Sequence, residues 1–331
     1  MSGTGITLNV FGVRGDAAQP FYLPSGSNNI TGTINLNTNA ALEVRTPGSL
    51  GLNTGDVTVN LNGANSKLFL RHFQNGDYRA NVVVNETAEI NSDRLAGFAG
   101  GGLQILSIND LTLNGDSKIV TIGGGNTYHT RVAGTATLNA PTNTILNVTA
   151  SDLILENGLT FGTPGSTLDK RGGFSAILRG PTNHTGKLII QGGLIHLQDN
   201  GSLAGTSAIE LRGGELRVDN SAVVNTNRIN DAASITLGGG VLRITGAETI
   251  GTVTAVGGTT TIISNPSDEL VPNPLTLTGF TRAIGSVIQF QSPDVGAGAL
   301  AVGHHDCADG KPCVGRMEDR EHSYHAQSGC L

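Results

Sequence analysis

Ile209-Glu-Leu-Arg-Gly-Gly-Glu-Leu-Arg-Val218 is a short alternating strand, a glycine doublet and a second alternating strand. The same design returns as Leu188-Ile-Ile-Gln-Gly-Gly-Leu-Ile-His-Leu197, Ile235-Thr-Leu-Gly-Gly-Gly-Val-Leu-Arg-Ile244 and Val253-Thr-Ala-Val-Gly-Gly-Thr-Thr-Thr-Ile262. With one glycine taken from each corner, Gly192, Gly213, Gly239 and Gly257, the spacings are 21, 26 and 18 residues. Alternation gives each strand one apolar face. A unit this short cannot bury that face alone, but units stacked above and below it can. The pattern predicts a β-solenoid.

Working outward, the first hundred residues use the same vocabulary in looser form. Thr33-Ile-Asn-Leu-Asn37, Asp56-Val-Thr-Val-Asn-Leu-Asn62, Lys67-Leu-Phe-Leu70 and Asn81-Val-Val-Val84 alternate apolar with polar residues. Asn62-Gly63, Asn75-Gly76 and Pro47-Gly48 turn the chain between them. Residues 101–165 continue with runs such as Leu103-Gln-Ile-Leu106, Lys118-Ile-Val-Thr-Ile122 and Ile145-Leu-Asn-Val148, and with corners at Asn114-Gly115, Gly123-Gly-Gly-Asn126 and Asn157-Gly158. No window keeps apolar residues at helical spacing without a Gly or Pro, so almost no helix is expected. Strands of three to five residues with Thr, Asn and Gly between them suit a coil better than a sandwich, whose strands are longer and whose core residues are larger. About twelve or thirteen coils of roughly 22 residues would make a rod about 60 Å long. Thr and Asn would cover its surface, with stacked Asn side chains forming amide ladders at corners.

The expected fold class is all-β: a single elongated parallel β-helix over residues 1–300, with its clearest repeats at 185–265. The proline-bearing segment Asn265-Pro-Ser-Asp-Glu-Leu-Val-Pro-Asn-Pro274 reads as a loop. From residue 301 the vocabulary changes, and a Cys/His-rich tail, 301–331, is expected to be disordered or out of frame.

Composition narrows the function. The 331 residues include 48 glycines, 14% charged residues, 4% aromatics and no tryptophan, far from an average enzyme. A net charge of −6 provides no basic footprint for nucleic acid or anionic lipid. No apolar run is long enough for a membrane-spanning helix, and the start lacks a signal peptide. Met1 opens directly into repeat-like sequence, which predicts either a piece of a larger polypeptide or an export signal lost upstream.

No set of residues carries recognisable chemistry. Asp56, Asp77, Asp110, Asp116, Asp152 and Asp219 are scattered acids in turn contexts, where Asp bonds its own backbone. A glycoside hydrolase needs two carboxylates flanking one bond, and a lyase needs clustered acids around Ca²⁺ with a basic group. His72, His129, His184 and His196 are isolated, and His196 points inward or outward according to strand register. Arg212, Arg217 and Arg243 fall beside successive corners and are read as a solvated ladder lining one face. Cys307, Cys313, His322, His325 and Cys330, with His304-His305 nearby, are candidate zinc ligands, but five residues separate the first two cysteines, against two to four in usual sites. A disulfide among them is the other reading. The Asn-X-Thr sequons at Asn29, Asn85, Asn147 and Asn183 are expected by chance in a chain rich in Asn and Thr. No catalytic, cofactor or metal residue is assigned.

At its corners the chain resembles the autotransporter-associated β-strand repeat of large bacterial surface proteins. The resemblance rests on Gly186-Lys-Leu-Ile-Ile-Gln-Gly-Gly193, on Gly201-Ser-Leu-Ala-Gly-Thr-Ser-Ala-Ile209 leading into Leu211-Arg-Gly-Gly-Glu-Leu216, and on Ile235–Ile244. Asn81-Val-Val-Val-Asn-Glu-Thr-Ala-Glu-Ile-Asn-Ser-Asp-Arg94 is similar to such proteins as well. The resemblance implies a right-handed parallel β-helix, exported and held at the cell surface or outer membrane as a structural or adhesive passenger, with glycans or proteins as partners. It transfers no catalytic residue. The translocating barrel of an autotransporter is not legible in Gly303–Leu331. A β-helix polysaccharide lyase or hydrolase is the rival reading, and a gene fragment without independent function is a third.

Overall fold

The structure, a computed structural model, describes residues 2–12, 20–23, 28–97, 102–265, 275–291, 314–320 and 323–329. Among these residues the chain is strand and corner, with one 3₁₀ turn at Pro47–Leu50 and no α-helix. The strands fall into three sheets. Sheet A holds seven, from Ser2–Val10 to Leu159–Phe161. Sheet B holds twelve, from Phe21–Leu23 to Leu275–Arg282. Sheet C runs from Gly76–Asp77 to Val287–Gln291 and ends in the hairpin Val314–Arg320 and Ser323–Gly329. Through the stack the chain passes from sheet to sheet, and strands pair in parallel with their equivalents one turn later; only the hairpin Val314–Arg320 and Ser323–Gly329 pairs antiparallel among the described residues. The protein is a parallel β-solenoid.

One core column shows how the stack works. Leu36 pairs with Leu61, Leu61 with Val84, Val84 with Leu113, Leu113 with Leu138 and Leu138 with Phe161. All six are at most 4% exposed. Each burial contributes about 1.5–3 kcal/mol, gained only when a neighbouring turn covers the residue. Twelve strands in sheet B enclose eleven turns, a rise of about 53 Å at the spacing of paired strands. The count is lower than composition suggests because early turns are long. Val84 to Leu113 takes 29 residues, against 20 from Leu168 to Leu188.

The glycine corners do form a column. Gln191 N donates to Lys170 O, Arg212 N to Ile190 O, Gly238 N to Leu211 O and Val256 N to Leu237 O, one equivalent bond in each turn. Continuing these registers past the corner aligns Gly192, Gly213, Gly239 and Gly257. It also brings in a fifth doublet, Gly172-Gly173, through the pairing of Lys170 with Ile190. In the four later corners the second glycine of the doublet is the one that excludes a side chain: at Gly240 φ is +87° and a Cβ would lie 2.2 Å from Gly214 O.

Sheet A stops at Phe161, where a side chain takes over the pairing. Asn183 Nδ2 donates to Phe161 O at 3.0 Å, and Phe161 N donates to Asn183 Oδ1 at 2.6 Å, so one amide imitates a strand. Beyond it, among the described residues, the isolated bridges Leu159–Thr182, Pro181–Ser202 and Leu203–Ile229 continue that side.

The expected asparagine ladder is present along the edge of sheet A. Asn85 donates to Asn62, Asn114 to Asn85 and Asn139 to Asn114, at 2.6, 2.8 and 3.0 Å. The next place in the register is Gly162, where a Cβ would sit 2.5 Å from Asn139 Oδ1. A second run joins Asn35 to Asn9 at 2.8 Å and Asn60 to Asn35 at 2.9 Å.

The proline segment, apart from Asn265, lies outside the described residues. Within the tail, the backbone of the two antiparallel strands is described, and the second pairs with Val287–Gln291. The remainder of 301–331 lies outside the described residues.

Two corner glycines, the second of one doublet and the first of another, separate packing from composition. Gly240→Ala is expected to destabilise the solenoid by at least about 1–3 kcal/mol from backbone strain alone. Gly257→Ala, whose Cβ meets nothing within 4 Å, is expected to change stability little. Urea titration of both variants checks this, and equal effects would contradict it.

Candidate functional site

Each of the six scattered carboxylates accepts a backbone amide. Asp56 Oδ2 accepts Asn53 N at 2.9 Å and Asp77 Oδ1 accepts Arg79 N at 3.3 Å. Asp219 Oδ1 accepts Ser221 N at 2.9 Å. The other three reach one turn onward: Asp110 to Thr135 N at 2.7 Å, Asp116 to Thr142 N at 2.9 Å and Asn143 N at 2.7 Å, and Asp152 to Ser175 N at 2.8 Å. These three occupy different corners, between sheets C and A, A and B, and B and C respectively. The Thr142 hydroxyl and the Asn143 amide hold the Asp116 carboxyl below its usual pKa, which suits a permanent acceptor.

The histidines are separate as well. His184 is fully buried: its Nε2 lies 2.8 Å from Ser166 O, which it faces as donor, and its Nδ1 lies 3.0 Å from Thr206 Oγ1. Burial lowers its pKa, keeping it neutral. His72 Nδ1 lies 3.0 Å from Gln74 O. His129 Nδ1 accepts Asp152 N at 3.2 Å. His196 lies outward on sheet C, between Ile177 and Arg217 in register, and its buried Nε2 stands 3.6 Å from Asp219 Oδ2, beyond hydrogen-bond reach.

The three arginines do not line one face. Arg217 and Arg243 are register partners on sheet C and both bond Glu215 Oε1, at 2.9 Å each. Arg212 follows sheet B and bonds Glu210 at 2.6 Å. The spacing rule failed here because the three arginines sit on different sides of their corners.

Of the sequons, Asn85 belongs to the amide ladder, Asn147 donates to Thr121 Oγ1 at 3.2 Å and Asn183 is engaged with Phe161. The side chain of Asn29 lies outside the described residues. So do Cys307, Cys313, His322, Cys330, His304 and His305, together with the side chain of His325. Among the described residues no group of three or more His, Cys, Asp or Glu side chains gathers as a metal would require. A gap of ≈20 Å³ among Ile6, Leu8, Leu23, Ile34 and Val57 is apolar, with room for about one water and no substrate.

Sequence reading missed a set of charges inside the solenoid. Lys170, on an inward position of sheet B, is fully buried, and burial lowers its pKa to about 8. Arg228, also fully buried, donates to Asn220 Oδ1 and to the carbonyls of Gly201, Asp199 and Val223, at 2.5–2.6 Å. Glu248, 1% exposed, accepts Ile229 N at 3.0 Å and Asn220 Nδ2 at 3.4 Å. Arg228, Asn220 and Glu248 pin the long segment 220–233 over the side that sheet A has vacated. For Lys170 a signal existed: aligning Leu168-Asp-Lys-Arg-Gly-Gly173 with Leu188-Ile-Ile-Gln-Gly-Gly193 places the lysine where Ile190 faces the core.

Compared with known proteins, the chain matches no family model, no curated protein and no solved structure at a significant level. Among the described residues no helix is long and apolar enough to cross a membrane.

The buried carboxylate generates a pH test. Burial raises the Glu248 pKa above its ordinary 4.5, so the folded chain holds this proton more tightly than the unfolded one. Its contribution to stability is present below that ordinary value and is lost as pH rises through the folded pKa. The unfolding free energy of the wild type minus that of Glu248→Gln should therefore fall across this window in urea titrations. A difference flat in pH would contradict it.

Proposed function

We propose that this chain is a structural or adhesive rod of the bacterial cell surface: a stalk or passenger segment of a larger polypeptide, without catalytic activity. The observation that carries the reading is the use made of the acids. The six candidate carboxylates spend their oxygens on backbone amides, and three of them tie one turn to the next. A hydrolase or lyase needs carboxylates free to meet substrate in one groove, whereas a rod needs its corners fixed. The outer faces suit the same role, because their charges pair with one another and their asparagines stack. Exposed corner positions such as 221–227, held between the buried Asn220 and Arg228, then offer contacts to surface glycans or proteins. The resemblance of residues 186–244 to surface-protein repeats points to the same location.

Labelling with an antibody raised against residues 1–300 tests the location. Intact cells of the source bacterium are expected to stain as strongly as permeabilised ones. Staining that appears only after permeabilisation would contradict surface display.

A further inference from the structure

Lys170 occupies a core column that is otherwise aliphatic around it. Its register partners are Leu146 before it and Ile190 after it, and the column continues through Val120 on one side and Leu211 and Leu237 on the other. The ammonium does not snorkel to solvent: the residue is 0% exposed. Nζ instead lies 2.7 Å from Arg171 O, 2.8 Å from Phe174 O, 3.2 Å from Gly192 O and 3.3 Å from Gly172 O.

The local chain length supplies the reason. Four residues, Arg171-Gly172-Gly173-Phe174, separate Lys170 from Ser175, whereas three separate Ile190 from Leu194, and the two registers pair these ends directly. The corners after Leu211 and Leu237 also have three. The corner at Lys170 therefore holds one residue more than the corners that follow it and one fewer than the corner before it, where six residues separate Leu146 from Leu153 against five between their partners Lys170 and Ala176; at Lys170 the carbonyls converge on the interior. Uncompensated, inward carbonyls are costly in a dry core. Four oxygens around a group with three protons form a shell of neutral dipoles about a single positive charge, the arrangement that replaces the hydration of a large monovalent ion. No carboxylate is among the four ligands.

We propose that this corner is a binding site for a monovalent cation of the ammonium or potassium class, filled in this chain by its own Lys170 side chain. The site goes beyond the rod reading and does not depend on it. It lies at the step where the corners shorten to the three-residue form, and it satisfies the carbonyls left facing inward there. Cutting the side chain back to Cβ leaves a cavity with the outline of n-propylammonium: three carbons and a cationic nitrogen at the shell.

The experiment compares thermal unfolding of the full chain as wild type, Lys170→Ala and Lys170→Met, each in sodium chloride, n-propylammonium chloride or 1-propanol at matched concentration. Lys170→Met fills the volume but brings no charge. Both variants are expected to melt at least about 5 °C below wild type. Propylammonium should restore at least half of the Lys170→Ala loss, and propanol should not. A Lys170→Met variant as stable as wild type would overturn the proposal, as would equal rescue by propanol, which would reduce the site to a cavity. Should Lys170→Ala fail to fold, Lys170→Met decides, together with nitrogen NMR of wild-type lysines. One ammonium with slowly exchanging protons is expected there; its absence would also overturn the proposal.

Discussion

The constraint on which this structure rests is the backbone hydrogen bond between a residue and its equivalent one turn later. It dictates that like sits over like. Inward positions must then be apolar in every turn, because a slip of one residue would turn a strand's whole apolar set to the solvent. Corners must let the next turn approach within backbone contact. The second glycine of each corner, at 193, 214, 240 and 258, satisfies that demand, since a Cβ there would come within 3 Å of the neighbouring turn, and the recurring bond beginning at Gln191 N marks each passage of the chain through the same place.

Stacking equivalent positions has a consequence for the surface. An amide can stack on an amide, since each asparagine both donates and accepts, and the Asn62 to Asn139 ladder uses this. A charge cannot stack on its own sign without cost. The outer columns respond by bringing an opposite charge to each stack: Lys67 stands 3.0 Å from Glu89, and Arg217 and Arg243, partners in register, share Glu215. Exposed pairs of this kind contribute about 0–1 kcal/mol each. Their role is to remove repulsion that the repeat itself creates.

How far the sequence could be read followed how strictly it repeats. Residues 188–262 disclosed strand, corner and stacking because an alternating pair of strands about a glycine doublet recurs there in every turn. The asparagine ladder was legible from abundance alone. What escaped were the places where the repeat is broken and repaired from within. The doublet at Gly172-Gly173 was hidden by Asp169 and Lys170, which spoil the apolar alternation, although Lys170 points inward like its neighbours. The end of sheet A at Phe161 carried no one-dimensional sign, since the strand replacing it is the side chain of Asn183. Arg228 and Glu248 read as loop charges and became interior groups only because segment 220–233 folds over the vacated side. The acids were legible as turn residues, but their reach to the next turn depends on a register that one strand alone does not specify.

The stacking itself is open to direct measurement by disulfide trapping. Thr236, Thr254 and Thr281 follow one another in register on the outer face of sheet B. Paired strands about 4.8 Å apart fall within the Cα separation a disulfide accepts, and two turns, about 9.6 Å, exceed it. With the three tail cysteines replaced by serine, a Thr236→Cys/Thr254→Cys chain should cross-link under mild oxidation and a Thr236→Cys/Thr281→Cys chain should not. Failure of the first pair, or closure of the second in preference to it, would contradict the stacked register on which this account is built.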